Sequence, residues 1–263
     1  MVRLMHTFVI SLPEDIARRA SIETQLEQLG IEFEFFDAVR GSEKISDPRW
    51  YDDAAARKLE GRSLKPGEVG CALSHAAVYT EIAQRGLPWA LILEDDAALA
   101  PDLPQVLSLL ERKYLEQGDL VVLSRCDFYL PWTRKKVTDR YQMVTPIFIK
   151  EGSIAQTVGY IITQEAAVQI RNINIPVKFP ADSWGYYRHH VRFKGIIPSL
   201  SLVTQHVELG STITGNGQRT SFQRYSLQGI LWNSFKTYNP LGRKLKYYAK
   251  QWQNRHGKSP TGI

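Results

Sequence analysis

Residues Trp89-Ala90-Leu91-Ile92-Leu93 run without a break into Glu94-Asp95-Asp96. An apolar run this short, opened by Pro88 and closed by charge, fits a strand buried on both faces, as in parallel α/β sheets. Three adjacent acids at its end repel one another and are costly to desolvate, so something must compensate them. Water would do so if the triplet were a solvated turn capping the next helix. A divalent cation would do so if the strand end were a site, and open α/β sheets bind ligands at the carboxyl ends of their strands. Oxygen-only ligands suit Mn2+ or Mg2+, hard ions that also bridge a nucleotide diphosphate.

The flanking pattern supports such a sheet. Phe8-Val9-Ile10-Ser11-Leu12 reads as a strand ended by Pro13. Ile16, Ala20, Ile22, Leu26 and Leu29 then recur at helical spacing, and residues 31–36 alternate as a second strand. Pro66-Gly67-Glu68 opens a helix through Gln84, stopped at Gly86. Further on, residues 104–115 read as a helix, 119–124 as a buried strand, 156–163 as a strand and 165–172 as a helix. Residues 195–203 read as one or two short strands broken by Pro198. Residues 127–152 are polar, with Arg134, Lys135 and Lys136 adjacent, and read as a loop or edge hairpin; the stretch around Asp47-Pro48-Arg49-Trp50 reads as irregular.

Charge divides the chain. No Asp or Glu follows Glu208, whereas nine Lys or Arg do, so the net +6 resolves into +9 for that tail and −3 for residues 1–208. Phe222, Tyr225, Trp232, Phe235, Tyr238, Tyr247, Tyr248 and Trp252 intersperse with the cations. The mixture suits an anionic membrane interface, with a helical lid packed on the main domain as the alternative. A nucleic-acid-binding protein would explain the tail but leave the acidic triplet unexplained, so no nucleic-acid partner is expected. With 2 cysteines, Cys71 and Cys126, and neither a signal-peptide pattern nor an apolar run of membrane-spanning length, the expected setting is cytoplasmic, peripheral at the inner face of the cytoplasmic membrane.

Four segments then combine in order: Val9-Ile10-Ser11-Leu12 with Arg18-Arg19, Phe36-Asp37-Ala38-Val39, Gly67-Glu68-Val69-Gly70-Cys71-Ala72-Leu73-Ser74-His75, and Leu91-Ile92-Leu93-Glu94-Asp95-Asp96. Together they resemble glycosyltransferase family 25, the lipooligosaccharide galactosyltransferases and collagen galactosyltransferases. The resemblance covers roughly residues 7–210. It implies an α/β GT-A-type fold with a mixed, mostly parallel sheet over residues 1–210, followed by a basic, aromatic, helical extension over 211–263.

The resemblance also implies a metal-dependent, inverting transfer of a hexose, galactose from UDP-galactose, with β linkage to a lipooligosaccharide or lipopolysaccharide acceptor. The alternative is a non-catalytic sugar-nucleotide or glycan-binding module on the same fold. In this sequence Glu94-x-Asp96 stands where the family has an Asp-x-Asp-type motif. Asp96 is then a ligand of Mn2+ or Mg2+, and Glu94 or Asp95 serves the ribose or a metal-bound water. Ser11 and Leu12 lie where base and ribose would rest, and Arg18 or Arg19 reaches a phosphate unless both are solvated helix residues. Ser74 and His75 contact the donor, although a helical histidine is often structural. Asp182, in Pro180-Ala181-Asp182, is the candidate base, with helix capping as its ordinary alternative. His206 is a candidate third metal ligand, with a surface histidine as the alternative.

Overall fold

Alternation along the central strands sorts the core into two layers. Phe8, Ile10, Ala90, Ile92, Leu120, Val122, Tyr160 and Ile162 face one side, and Val9, Leu91, Leu93, Val121, Leu123 and Ile161 face the other. The chain is described by a computed structural model over residues 5–124, 126, 128–147, 156–197 and 202–205. It runs β1 (His6–Ser11), α1 (Ile16–Gln28), β2 (Glu34–Asp37), a 3-10 turn (Gly41–Glu43), α2 (Asp53–Glu60), α3 (Pro66–Gln84), β3 (Trp89–Glu94), β4 (Ala97–Leu99) and α4 (Leu103–Lys113). Then come β5 (Asp119–Val122), a second 3-10 turn (Pro131–Thr133), β6 (Lys135–Lys136), β7 (Gln142–Val144), β8 (Gly159–Thr163), α5 (Gln164–Asn174), α6 (Trp184–Tyr187), β9 (Arg192–Ile197) and β10 (Val203–Gln205).

The eight-stranded sheet has the order β2-β1-β3-β8-β5-β9-β7-β6, and β10 pairs with β4 in a separate two-stranded ribbon. Three pairings are parallel (β1 with β2, β1 with β3, β5 with β9) and four antiparallel, so the sheet is mixed as expected. The expected majority of parallel pairs is not met: six strands share one direction, but β8 and β7 oppose them, so antiparallel pairs outnumber parallel ones by four to three. Ile22 and Leu26 of α1 and Leu103, Val106, Leu107 and Leu110 of α4 cover one face. Val78, Tyr79 and Ile82 of α3 and Ala166, Ala167 and Ile170 of α5 cover the other.

One departure from the sequence reading is instructive, and one of its open alternatives is decided. The stretch read as irregular leads into α2, whose Asp52 side chain accepts the Ala55 N–H at 2.9 Å and whose end is the left-handed Gly61 at φ 74°. The polar segment after β5 contributes the edge hairpin β6–β7, placed there because Met143 and Val144 bury themselves while Lys135 and Lys136 stay exposed. The extension over 211–263 lies outside the described residues. No helix among the described residues is long and apolar enough to cross a membrane.

The position of α3 depends on two glycines. A Cβ on Gly70 would stand 2.6 Å from Val39 O and 2.7 Å from Gly41 N, and one on Gly41 would meet the Pro66 carbonyl. Only hydrogen at both positions lets α3 press on the loop after β2. Replacing glycine by alanine inside a helix ordinarily stabilises by about 0.5–1 kcal/mol, whereas forced overpacking costs about 1–3 kcal/mol. Gly70→Ala should therefore lower the urea midpoint, while Gly67→Ala, exposed in the first turn of the same helix, leaves it unchanged or raises it. An unchanged midpoint for Gly70→Ala would mean that the loop yields.

Candidate active site

The strand alternation that builds the core also separates the three acids. Ile92 faces the α3 layer and Leu93 the α1 layer, so Glu94 turns to α3 and Asp95 to α1. Glu94 Oε1 lies 3.3 Å from His75 Nε2 and 4.0 Å from Cys71 Sγ, and it accepts the Thr157 hydroxyl. Asp95 receives Ser11 Oγ at 2.7 Å and Arg18 Nη1 at 2.8 Å. Ser11 reaches it because Ser11, like Val9, faces the α1 side of β1. Asp96 sits at the turn into β4 and meets the strand paired with β4: Gln205 Nε2 donates to its Oδ2 at 2.7 Å.

The electrostatics follow this sorting. Burial pushes the Asp95 carboxyl above its ordinary value, and burial with the nearby Glu94 charge does the same to Asp96. For Glu94, burial alone would act upward, but the hydrogen bond and charge of His75 and the Thr157 hydroxyl hold it below the ordinary glutamate value. Both Asp95 oxygens are occupied. Asp96 Oδ1, by contrast, is buried with no hydrogen-bond partner among the described residues. Asp119 shows the usual treatment of a buried acid: at 0% exposure its oxygens are bound by Arg192 at 2.9 Å and Lys194 at 2.6 Å. An unmatched carboxylate oxygen is expensive, and Asp96 Oδ1 fits a hard divalent ion such as Mn2+ or Mg2+. His206 follows Gln205 in the chain and lies outside the described residues.

Asp182 belongs to the same neighbourhood. Its Oδ2 accepts the Gln156 backbone N–H at 3.2 Å, and burial followed by the Glu94 charge raises its carboxyl, opposed by that hydrogen bond. The helix cap expected as its alternative role is not what the geometry shows, since Ser183 holds the N-cap of α6 and no side chain caps it. Gln156 connects several parts. Its side-chain amide donates to Gln205 Oε1 at 2.7 Å, its carbonyl accepts Trp184 Nε1 at 3.3 Å, and its φ of 82° is left-handed, a conformation costly for a side-chain-bearing residue. Gln156 and Gln205 thus link Asp182 to Asp96. Sequence reasoning missed both, because an amide carries no charge signal and their meeting joins segments 49 residues apart.

The remaining predicted residues divide. Arg18 is on the site, committed to Asp95. Arg19 turns to the sheet edge, bonding Ser11 O at 3.0 Å and Asp37 at 2.6 Å while stacking over Phe35. Leu12 is half-buried, and its carbonyl accepts the Asp15 N–H at 3.1 Å in the turn before α1. Ser74 staples α3 to the loop after β2, accepting the Val39 N–H at 2.8 Å and donating to Gly70 O at 2.7 Å. His75 is held at 2.7 Å by the Tyr160 hydroxyl, itself 2.6 Å from that of Tyr79. A cleft of about 500 Å3 beside α3, lined by Val39, Lys44, Trp50 and Arg171 among others, contains none of the triplet.

Comparison with known proteins places the chain in a family. A family model described as "Glycosyltransferase family 25 (LPS biosynthesis protein)" matches residues 5–184. The lacto-N-neotetraose biosynthesis glycosyltransferase LgtE of Neisseria gonorrhoeae is 31% identical over 170 residues, covering 62% of this chain and 58% of that protein. LgtB of the same organism, described in the same words, is 30% identical over 170 residues with the same coverage. A "Glycosyltransferase 25 family member" of Drosophila pseudoobscura pseudoobscura is 27% identical over 176 residues, 64% of this chain and 27% of that protein. The match thus spans 58% of the length of the two Neisseria relatives.

The raised Asp96 carboxyl has a stability consequence with a definite sign. The fold prefers the protonated acid, so the stability it contributes is present below the ordinary value of 3.8 and lost as pH rises through the higher folded value. Asp96→Asn removes that penalty. In metal-free buffer the variant should unfold at higher urea than the parent at pH 7, with the gap closing as pH falls toward 3.8. A variant less stable than the parent at pH 7 would show that Asp96 is structurally compensated.

Proposed function

The chain belongs to glycosyltransferase family 25, and we propose that it is a metal-dependent hexosyltransferase with its active site at the acidic end of β3. The observation that carries this reading is the buried Asp96 Oδ1, which has no hydrogen-bond partner among the described residues and whose carboxyl is linked through Gln205 and Gln156 to Asp182, on a family-25 chain. The donor is a nucleotide sugar, UDP-galactose, and the acceptor a hydroxyl of a lipooligosaccharide or lipopolysaccharide glycan. Asp96 would hold Mn2+ or Mg2+ with His206 as a further ligand, and such an ion supplies positive charge against the departing diphosphate.

The protein's own groups have separate tasks in this mechanism. Arg18 and Ser11 hold Asp95, which keeps the end of β3 in place under its own charge repulsion. Asp182 accepts the proton of the acceptor hydroxyl as that oxygen bonds to the anomeric carbon. The bond from that carbon to the diphosphate oxygen breaks, and the nucleotide leaves from the opposite face, giving an inverted β linkage. The raised carboxyl of Asp182 strengthens it as a base once ionised. No covalent intermediate on the protein is needed.

The basic aromatic extension over 211–263 would bring the enzyme to an anionic membrane surface, where each Lys or Arg near the surface contributes about 1 kcal/mol. Full-length protein should co-sediment with anionic vesicles at low salt and be released as salt rises. Failure to bind at low salt would leave the extension to another role.

Activity is tested by nucleotide release from a panel of sugar nucleotides on lipooligosaccharide acceptors, with and without Mn2+. UDP-galactose with Mn2+ should turn over, and Asp96→Asn should lose the metal-dependent rate while staying folded. Asp182→Asn should reduce kcat by about 10²–10⁴-fold with donor affinity retained. The acid limb of the parent's pH–rate profile should fall above the ordinary aspartate value of 3.8, because Asp182 must ionise to act and its carboxyl is raised. Selective loss of donor affinity in Asp182→Asn would remove it from the role of base.

A further inference from the structure

The α3 face of the site brings together three groups that the transfer chemistry does not require to meet. Cys71 and His75 are four residues apart on α3, so their side chains leave the same face of the helix. Glu94 is sent to that face by the alternation of β3. Ligand atoms of the three residues all lie within 4.8 Å of one another, with His75 Nε2 at 3.3 Å and Cys71 Sγ at 4.0 Å from Glu94 Oε1. A tetrahedral zinc site, with bonds of about 2.0–2.3 Å, spaces its ligand atoms about 3.3–3.6 Å apart. Small side-chain rotations therefore close the set.

The surroundings have the form of a metal site's outer layer. A metal-bound histidine is usually oriented through its other nitrogen, and ligating carboxylates are themselves hydrogen-bonded. Here His75 Nδ1 lies 2.7 Å from the Tyr160 hydroxyl, which is backed by Tyr79 at 2.6 Å, and the Thr157 hydroxyl donates to Glu94. Without an ion the consistent arrangement is His75 Nε2–H donating to Glu94 and Nδ1 accepting from Tyr160. A hydroxyl can reverse its role, so the same ring can present a bare Nε2 to a cation and donate Nδ1–H to Tyr160. His75 is buried, while Cys71 and Glu94 are partly exposed, which gives an ion a way in.

We propose that Cys71, His75 and Glu94 form a binding site for a thiophilic divalent ion of the Zn2+ class, distinct in chemistry from the hard-ion position at Asp96. One thiolate, one imidazole and one carboxylate select for Zn2+ or Co2+ and against Mg2+. Three protein ligands leave a fourth position open, as in zinc sites that keep an exchangeable partner. An ion there ties α3 to the end of β3 and engages Glu94, so two ions would meet one acidic edge through different residues, and only this site offers a thiolate.

The test uses full-length, metal-free protein with no sugar nucleotide, so its outcome is independent of the transfer reading. Titration with Co2+ should produce a thiolate-to-cobalt charge-transfer band that saturates at one equivalent and is erased by Zn2+. Of the 2 cysteines, Cys126 is buried with its thiol directed to Phe128 O, so Cys126→Ala should keep the band and Cys71→Ala should lose it. Tyr160→Phe, which removes the histidine's orienting hydroxyl, should weaken Zn2+ binding by about 10–100-fold. If Cys71→Ala fails to fold, mass spectrometry on the parent decides: Zn2+ should slow alkylation of Cys71, and Mg2+ should not. Co2+ binding without the thiolate band, a band that survives in Cys71→Ala, or alkylation of Cys71 indifferent to Zn2+ would overturn the site.

Discussion

Three carboxylates on consecutive residues at a buried strand end cannot share one environment, because their mutual repulsion rises as water is removed. The period of a β-strand resolves the conflict by aiming neighbours to opposite faces. Glu94 is stabilised as an anion by groups of α3 and by Thr157, Asp95 is paired with Arg18 of α1, and Asp96 is left with one oxygen matched and one without a partner among the described residues. The unequal result matters more than the acidity of the segment. A fully paired triplet would be structural, as Asp119 is. An unpaired one would have to be solvated, and Asp95 and Asp96 are only 6% and 5% exposed.

This sorting requires α3 at a fixed height above β3, and the glycine contact supplies it. Gly70 rests against Val39 O and Gly41, and Ser74 one turn later receives the Val39 N–H. Cys71 and His75 are carried on the same two turns. The segment Gly67-Glu68-Val69-Gly70-Cys71-Ala72-Leu73-Ser74-His75 therefore works as one device: its small residues set the approach, its serine locks the register, and its thiol and imidazole arrive at Glu94. Ser74, expected at the donor, holds the loop that follows β2, and His75 reaches the acids through Glu94.

Apolar spacing made α1 and β2 legible, α3 was marked by Pro66 at its start and Gly86 after its end, and short unbroken apolar runs beside a proline made β1 and β3 legible. The acidic edge was legible for the same reason, as charge directly after a buried run. Lost from view were features carried by pairing between distant segments. β4 and β10 are three residues each, too short to show a rhythm, and exist because they pair. The α2 helix did carry a signal, Asp52 before it and Gly61 after it, but Trp50 and Pro48 just upstream suggested a loop. Gln205 and Gln156 had none, since their importance comes from what they bridge.

That bridge bears on how the candidate base and metal ligand stay in step. Asp182 precedes α6, and Asp96 precedes β4; no backbone pairing joins those two elements directly. Their connection runs from Asp182 to the Gln156 N–H, from the Gln156 amide to Gln205, and from the Gln205 amide to Asp96. Each amide donates onward through its NH2 group, so the order of donors is fixed: Gln156 to Gln205, Gln205 to Asp96. Trp184 packs edge-on against Tyr160 and bonds the Gln156 carbonyl, anchoring the left-handed residue from which the chain of contacts starts. Backbone strain held in place by a buried indole is a means of pre-organisation. Here it holds, through one network, the carboxylate proposed as the base, Asp182, and the one proposed as the metal ligand, Asp96.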